Sequence, residues 1–446
     1  MRRSAEAIAL AEKALKLITG ADQAQVNVDF QDESYARFAR NYVIQHLTER
    51  AGKISVAYVK DKRLGTATSG DLSDAGLHRV IATAADIASR VPPNTEFVSF
   101  ATKAPIPVPP ESYFDVTANA SPDARIDKLI PVFDRMKRSA LHCSGFTTTQ
   151  SAAQAVANSL GARALFDQTS SGIEIKAIAG ATSGFAEYFS RDYTTLDSAE
   201  RAEHAAAKAT VSQTPQDFPP GTYTVVLEPP AFVDCLNNVL GAMDIQDIRE
   251  GRDSWMIGRI GKQIFSPNLS IVDDWSHPLM ANAPFDADGA PTQKVTLIEN
   301  GTPKAYVTST FYANKYHVPN TGHSGGRFGL YPTNAVVMPG TKSREELIAS
   351  VERGILISRT WYTRVVDPRQ ATITGLTRDG VFLIENGKLT KTLKNFRFFT
   401  SMLSALADVE LGKTLYLAES ADTPATLAVP DARIGKFTLS AQTSFA

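Results

Sequence analysis

The 446-residue sequence contains few of the residues that bind transition metals or cross-link a chain. It has two cysteines, Cys143 and Cys235, and seven histidines. Two cysteines cannot form a disulfide framework, and so few histidines leave few ligand sets for a transition metal. The sequence also lacks an excess of either charge, since 46 Lys and Arg stand against 47 Asp and Glu. A net charge of −1 provides no overall field to hold nucleic acid or an anionic membrane, so neither is an expected partner.

Long hydrophobic runs are also missing. No segment approaches the roughly 20 apolar residues that span a bilayer. Arg2 and Arg3 resemble the start of a signal peptide, but Glu6, Glu12 and Lys13 interrupt any apolar stretch behind them. We therefore expect a cytoplasmic protein in which both thiols are reduced, buried and small enough to act as core residues.

What remains is the composition of an ordinary globular protein, with 43% hydrophobic and 21% charged residues. The length suggests two or three folding units of about 150 residues each. Proline-rich stretches at 91–110 and 215–221 divide the chain. We predict an α+β fold with an N-terminal helix-strand-helix domain over 1–104, a central α+β domain over 111–214, and a larger β-rich C-terminal domain over 221–446.

Local patterns support this division. Apolar residues at helical spacing predict a helix over 4–18, and Ser73 is a suitable N-cap for a second helix. Pro122, directly after Ser121, suits the first position of a third helix. Beyond residue 220, runs of β-branched and aromatic residues predict strands, among them 223–227, 294–298 and 381–384.

Motifs for common chemistries are not found. A zinc-protease helix would carry two closely spaced histidines with a glutamate beside the first, and no such pair exists. His317 and His323 are separated by Pro319 and Gly322, so they cannot share one regular helical face. The sequence also lacks a nucleophile elbow, a Walker lysine and a dinucleotide-binding glycine motif.

One stretch, 312–334, has the composition of a binding site. It combines aromatics, Arg, His and Asn with turn-forming Gly and Pro, and such a loop can present backbone donors and acceptors to an extended peptide. The alternative is a long structured loop that packs against its own domain. The polar residues selected as candidates are His317, Asn320, His323, Arg327 and Asn334.

Several short motifs carry a resemblance to a known family. They are Arg37-Phe38-Ala39-Arg40-Asn41 with Ile44-Gln45, Gly258-Arg259-Ile260-Gly261-Lys262-Gln263-Ile264-Phe265-Ser266-Pro267, Ile271-Val272-Asp273-Asp274, Asp286-Ala287-Asp288-Gly289-Ala290-Pro291-Thr292-Gln293, Leu297-Ile298-Glu299-Asn300-Gly301, Pro332-Thr333-Asn334 and Ile384-Glu385-Asn386-Gly387. In this order and spacing, over nearly the whole chain, they resemble the TldD/PmbA family. Its members are named modulators of DNA gyrase and are regarded as zinc-dependent peptidase subunits.

The resemblance implies a metal site that this chain lacks. In the zinc-bearing subunit, a strand leads into a helix with the signature His-Glu-x-x-x-His, and a later cysteine completes the ligand set. Here the strand 224–227 is followed by Glu228-Pro229-Pro230-Ala231-Phe232-Val233, with neither histidine, and no cysteine follows Cys235. We therefore expect no catalytic residue, no metal ligand and no cofactor in this chain, with zinc held by a partner.

The departure points to the family's other subunit type, called TldE or PmbA. Such a chain pairs with a TldD-like zinc peptidase subunit and helps to enclose a cleft in which unfolded peptides are cut. The resemblance thus implies a non-catalytic subunit of a peptidase heterodimer. As the lining of its substrate chamber, we predict the candidates selected from composition, which are His317, Asn320, His323, Arg327 and Asn334. Two alternatives stay open: a homo-oligomeric peptidase with its own active site, and a binding or modulator protein without enzymatic activity. Whether the isolated chain is a monomer or a homodimer is also left open.

Overall fold

The structure is a computed structural model that describes residues 2–211, 214–251, 253–325, 329–422 and 426–443. It mixes helices with several β-sheets and begins with a helix followed by strands, so the predicted α+β class is confirmed. Among the described residues, no helix is both long enough and apolar enough to cross a membrane.

The N-terminal part places three antiparallel strands between two helices. The helix predicted over 4–18 is present, and Ser73 caps the second helix by accepting a hydrogen bond from the Gly76 N–H. The elements are α1 (Ser4–Leu17), β1 (Gln23–Ala39), β2 (Tyr42–Lys60), β3 (Arg63–Ser69) and α2 (Asp74–Arg90).

The following part again places three antiparallel strands between helices. Ser121 accepts from the Ala124 N–H, and Pro122 occupies the first turn of its helix, as its fixed φ favours. The elements are α3 (Asp115–Ala118), α4 (Pro122–Asp127), α5 (Ile130–Arg138), β4 (His142–Asn158), β5 (Arg163–Ala179), β6 (Thr182–Ser190), a short 3-10 turn (Tyr193–Thr195) and α6 (Ser198–Ala209).

These two parts share one sheet. The strand order is β3-β2-β1-β4-β5-β6, and the central pair β1–β4 is antiparallel over its whole length. One half of the sheet is covered by α1 and α2, and the other half by α5 and α6, so each half has its own apolar core. The predicted domains 1–104 and 111–214 therefore contribute strands to the same sheet. Whether they fold as separate units stays a prediction.

The sheet has an internal two-fold repeat that the sequence analysis did not identify. Strands β1 and β4 are both 17 residues long, and β4 begins 119 residues after β1. Strands β3 and β6 begin with the same offset, at Arg63 and Thr182. In the central pair, Asp32 faces Ser151, which is its own equivalent at that offset. An approximate two-fold axis thus passes between these residues and relates α1-β1-β2-β3-α2 to α5-β4-β5-β6-α6.

The C-terminal part is rich in β-structure, as predicted. Its elements are β7 (Gly221–Leu227), α7 (Pro229–Leu240), α8 (Ile245–Arg249), β8 (Ile271–Asp273), β9 (Val295–Glu299), β10 (Thr302–Pro303), α9 (Thr310–Tyr316), β11 (Ala335–Val337), α10 (Arg344–Ala349), β12 (Arg353–Asp367), a 3-10 turn (Pro368–Gln370), β13 (Thr372–Glu385), β14 (Lys388–Thr392), β15 (Phe396–Ser401), α11 (Met402–Leu406), β16 (Val409–Leu411), β17 (Tyr416–Glu419), β18 (Thr426–Val429) and β19 (Ala432–Gln442).

Two sheets enclose the C-terminal core. Strands β12-β7-β19-β15-β13 close into a small barrel because β12 also pairs with β13. The second sheet has the order β10-β9-β8-β11-β18-β17. Helix α7 directs Phe232, Leu236 and Val239 into the core that both sheets share. The helix that follows β7 is therefore a central packing element of this part.

Candidate functional site

The predicted site residues lie along the segment between α9 and β11, and the structure brings only some of them together. His317 ends α9 in a left-handed conformation with φ of 53°, and its side chain is exposed. Asn320 accepts a hydrogen bond from the Gly322 N–H at 2.9 Å and donates to Thr310 Oγ1 at 3.0 Å. Arg327 lies outside the described residues. The first part of the segment is thus a tight turn stabilised by Asn320.

His323 and Asn334 meet at a buried carboxylate, Asp273. Asn334 donates to Asp273 through its backbone N–H at 2.8 Å and through Nδ2 at 3.0 Å. His323 Nε2 lies 3.0 Å from Asp273 Oδ1, at ion-pair distance but not aligned for a hydrogen bond. The other ring nitrogen, Nδ1, is 2.8 Å from the Thr321 carbonyl oxygen. The His323 and Asp273 side chains are fully buried, so this cluster holds the segment against β8.

The same network reaches the N-terminal sheet. Asn282 Nδ2 donates to Asn334 Oδ1 at 2.7 Å, and Arg191, which follows β6, donates to Asn282 Oδ1 and to the Met280 carbonyl oxygen. Burial lowers the pKa of Arg191 to about 10, so its guanidinium remains charged at neutral pH. Hydrogen bonds therefore connect the candidate segment to both parts of the protein.

A second buried cluster pairs two carboxyl groups with Ser324. Asp286 Oδ2 accepts from the Ser324 N–H at 2.9 Å, and Ser324 Oγ donates to Asp288 Oδ1 at 2.9 Å. Burial raises the pKa of both Asp286 and Asp288, and the charge of Asp288 raises that of Asp286 further. Two neighbouring carboxylates that are largely removed from solvent resist simultaneous ionisation.

This pair gives a pH prediction. A carboxyl group whose pKa is higher in the folded than in the unfolded chain lowers the free energy of unfolding as pH rises from its unfolded value, about 4, toward its folded value. Asp288→Asn removes one charge and keeps partners for Ser324 and Thr310, because the amide oxygen can accept from the Thr310 N–H and hydroxyl while the amide nitrogen donates to Ser324 Oγ. We expect the variant to lose less stability than wild type between pH 5 and pH 8, as measured by urea unfolding.

The exposed residue Asp123 in α4 provides the matched control. Asp123→Asn should leave the change in stability between the two pH values as in wild type. An Asp288→Asn chain with the same pH dependence as wild type would contradict ionisation of this pair.

The helix after β7 is where the family resemblance places zinc ligands, and its residues do not fit a metal. Glu228, its N-cap, lies 2.6 Å from Lys208 Nζ and 3.0 Å from the Arg344 guanidinium. Burial would raise the pKa of Glu228, but these two cations lower it to about 2. Asp234 accepts from Ser420 Oγ and Thr360 Oγ1 at 2.7 and 2.8 Å. Both carboxylates are therefore committed to protein partners.

The remaining potential ligand of this helix is Cys235. Its side chain is fully buried in the C-terminal core, and burial raises the pKa of the thiol. Zinc binds the thiolate, which this environment disfavours. Over the described ranges, no group of three or more His, Cys, Asp or Glu residues is arranged to hold a metal ion. The donor set at α7 thus matches a packing helix.

A cavity of about 360 Å³ lies next to Glu228, between α6 and β6 on one side and the C-terminal part on the other. Its charged and aromatic lining includes Arg201, His204, Lys208, Arg344 and Tyr416. Residues of this cavity come from distant parts of the sequence, so no local motif marks it. The same holds for Arg191 and Asn282 in the His323 network, whereas Asp273 lies in one of the motifs noted above.

The comparisons with known proteins agree with this architecture. Residues 220–441 match the family described as the PmbA/TldA metallopeptidase C-terminal domain. A metalloprotease TldD homolog of Haemophilus influenzae is 27% identical over 259 residues, 53% of this chain and 52% of that protein. A metalloprotease PmbA homolog of the same organism is 28% identical over 143 residues, 31% of this chain and 29% of that protein. The aligned region thus spans about half the length of these curated relatives, or less.

The fold extends the likeness to the whole chain. The crystal structure of TldE from Thermococcus kodakarensis superposes with a TM-score of 0.86, covering 98% of this chain and 99% of that one at 20% sequence identity. At this identity the superposition establishes the fold alone. With the sequence match of the C-terminal part, it confirms the predicted resemblance, and the chain belongs to the TldD/PmbA family.

Proposed function

We propose that this chain is a non-catalytic, TldE/PmbA-like subunit that pairs with a zinc-bearing, TldD-like subunit. The pair would be a metallopeptidase that degrades or processes unfolded peptides. The observation that carries the proposal is the composition of α7. Its two carboxylates are held by Lys208, Arg344, Ser420 and Thr360, and its thiol is buried in the core. A helix occupied in this way supports packing and leaves metal chemistry to a partner.

The buried His323 network supports a role as part of a substrate chamber. Hydrogen bonds hold Asn334 to β8 and, through Asn282, to Arg191 beside the N-terminal sheet, and His323 Nε2 lies 3.0 Å from the same β8 carboxylate. A wall of this kind keeps its shape while varied peptides pass, as a chamber that excludes folded proteins requires. On this proposal, the exposed His317 faces the chamber, and Asn320 shapes the turn beside it. We also propose a cytoplasmic location, which the two free, buried cysteines support.

Purification of the chain alone and together with a TldD-like subunit tests the proposal. We expect the isolated chain to bind no stoichiometric zinc and to cleave no unfolded peptide, because its α7 carboxylates and thiol are not free to bind metal. The co-purified pair should contain zinc in the partner and cleave an unfolded peptide in a chelator-sensitive manner. Metal content is measured by mass spectrometry and cleavage by the fluorescence of a quenched peptide.

Two results would contradict the proposal in different ways. Chelator-sensitive cleavage by the isolated chain would favour a homo-oligomeric peptidase with its own site. If the chain neither pairs with a TldD-like subunit nor changes the peptidase activity of that subunit, the result would favour a binding or modulator protein without enzymatic activity.

A further inference from the structure

The repeat in the N-terminal sheet exposes a difference between its two halves. Strand β2 is 19 residues long, but β3 pairs only with its last part, from Ile54 to Lys60. From Gln45 to Gly52, β2 pairs with β1 on one side, and no described residue pairs with it on the other. An edge of this length offers unpaired backbone N–H and C=O groups to another chain.

The backbone groups that face outward can be identified. Lys60 and Arg63 close a two-residue hairpin turn at Asp61 and Lys62, both with positive φ, so Lys60 directs its N–H and C=O toward β3. The β1–β2 register is continuous from Gln45 to Val59, and orientation alternates along a strand. Every second residue counted back from Lys60 therefore directs its backbone N–H and C=O away from β1. Along the open edge they are His46, Thr48, Arg50 and Gly52.

The equivalent edge in the second repeat is covered by the chain itself. With the offset of 119 residues, Thr48 and Arg50 correspond to Asp167 and Thr169 of β5. The Thr169 N–H donates to the Ser112 carbonyl oxygen at 2.8 Å, and Ser112 Oγ donates to the Asp167 carbonyl oxygen at 2.9 Å.

The covering segment approaches this edge at two points. Near its start, Thr102 forms a β-bridge with Gly161, so the segment 102–112 runs beside the stretch that β6 leaves open and contacts it at both ends. It contains four prolines and is extended rather than helical. The second repeat thus shows what an edge of this geometry binds, namely an extended stretch of polypeptide.

We propose that the open edge of β2, from His46 to Gly52, binds a segment of unfolded peptide as an added strand. This inference rests on the proposed function, since it makes the bound segment the peptidase substrate. Recognition through main-chain hydrogen bonds does not depend on side-chain identity. The side chains along the edge, including Glu49, Arg50 and Lys53, carry both charges and are exposed, which suits peptides of varied sequence. The edge therefore holds peptide near the assembly and leaves cleavage to the partner subunit.

The test compares two substitutions at Arg50 with a short fluorescein-labelled peptide rich in Ser, Thr and Val, with a lysine at each end. Arg50→Pro removes the outward N–H and places a ring on the open edge, whereas the β1–β2 hydrogen bonds do not use that N–H. Arg50→Ala changes the same side chain and keeps the N–H. We expect Arg50→Pro to weaken binding, measured by fluorescence anisotropy, at least roughly tenfold, and Arg50→Ala to change it by less than about twofold.

Amide hydrogen exchange of the wild-type chain provides a measurement that needs no variant. Without peptide, the amides of His46, Thr48, Arg50 and Gly52 should exchange rapidly, and the intervening amides slowly. Peptide should slow exchange at the four outward positions. Lack of peptide binding by wild type, equal affinity of the Arg50→Pro chain, or protection located elsewhere would each overturn the proposal.

Adding the TldD-like subunit separates this inference from the proposed function. If Arg50→Pro prevents pairing of the subunits while peptide affinity is unchanged, the edge binds the partner and the inference is wrong. If the wild-type chain binds peptide at the β2 edge but never supports cleavage by a zinc subunit, the proposed function fails and the edge assignment stands.

Discussion

Glu228→Gln is expected to lower the free energy of unfolding by about 3–5 kcal/mol, the usual effect of removing one partner from a buried ion pair. Glu228 retains 5% of its side-chain exposure, and Lys208 retains 12%. Their contact distance is 2.6 Å, and Arg344 approaches the other carboxylate oxygen at 3.0 Å. Arg344 keeps Asp431 as a second partner at 2.7 Å. The unpaired ammonium of Lys208 is therefore the main source of the loss.

Urea unfolding of two further variants tests this explanation. Glu200→Gln removes an ion pair with Arg201 in which the carboxylate is 53% exposed, so its effect should stay within about 1 kcal/mol. The double variant Glu228→Gln with Lys208→Met removes both members of the buried pair and should recover a large part of the lost stability. A double variant as unstable as the sum of its single variants would show that the pair is not the cause.

Acid unfolding should respond in a defined direction. Although burial opposes it, the two cations lower the pKa of Glu228 from its ordinary value near 4.5 to about 2. For Lys208, burial lowers the pKa of the ammonium group, and the Glu228 carboxylate offsets part of that change. A group with a lowered folded pKa stabilises the protein above its unfolded pKa, and this contribution is lost as pH falls toward the folded pKa. The stability difference between wild type and Glu228→Gln should therefore shrink from pH 4.5 toward pH 2.

Local sequence signals predict the start and type of many elements. The helix at 4–18, the Ser73 cap and Pro122 at a helix start match the structure because each depends on neighbouring residues only. The strand at 223–227 lies within β7 for the same reason. The family motifs predict more of the fold than these local signals do, because they are distributed over nearly the whole chain and identify a known architecture.

The length of the strands in the N-terminal sheet could not be predicted. Two runs with strand-like composition, 162–168 and 172–180, are interrupted by polar residues, but the structure has one strand, β5, across both. Thr169, Ser170 and Ser171 are polar and carry no signal of burial, and they continue the strand because β4 pairs with all of them. Long-range pairing of this kind overrides local preference.

Only part of the candidate site was predicted, because its remaining contacts also join distant segments of the chain. Asn334 and His323 were selected from composition, whereas their meeting at Asp273 and the link to Arg191 depend on contacts between distant segments. The ion pairs of Glu228 were not predicted either, because Lys208 and Arg344 come from helices on opposite sides of it in the sequence. Sequence identifies the residue types of such a site, but only the fold specifies their partners.

The two-fold repeat predicts that one substitution should have the same effect in both halves of the sheet. Gly65 in β3 and Gly184 in β6 are 119 residues apart, and each lies beneath a helix that packs on the edge strand. A Cβ on Gly65 would lie 2.0 Å from the Ala84 carbonyl oxygen of α2, and one on Gly184 would lie 2.2 Å from the Ala205 carbonyl oxygen of α6. Neither helix backbone can give way without leaving its sheet.

We therefore expect Gly65→Ala and Gly184→Ala each to lower the free energy of unfolding by about 1–3 kcal/mol, the range for overpacking a close contact. Gly70→Ala is the matched control, since its Cβ would meet nothing nearer than the Gly52 carbonyl oxygen at 3.7 Å. Chemical denaturation of the three variants should place the first two together and the control near wild type. A large effect at Gly65 with none at Gly184 would contradict equivalent packing, and with it the argument that the covered edge of β5 shows what the open edge of β2 binds.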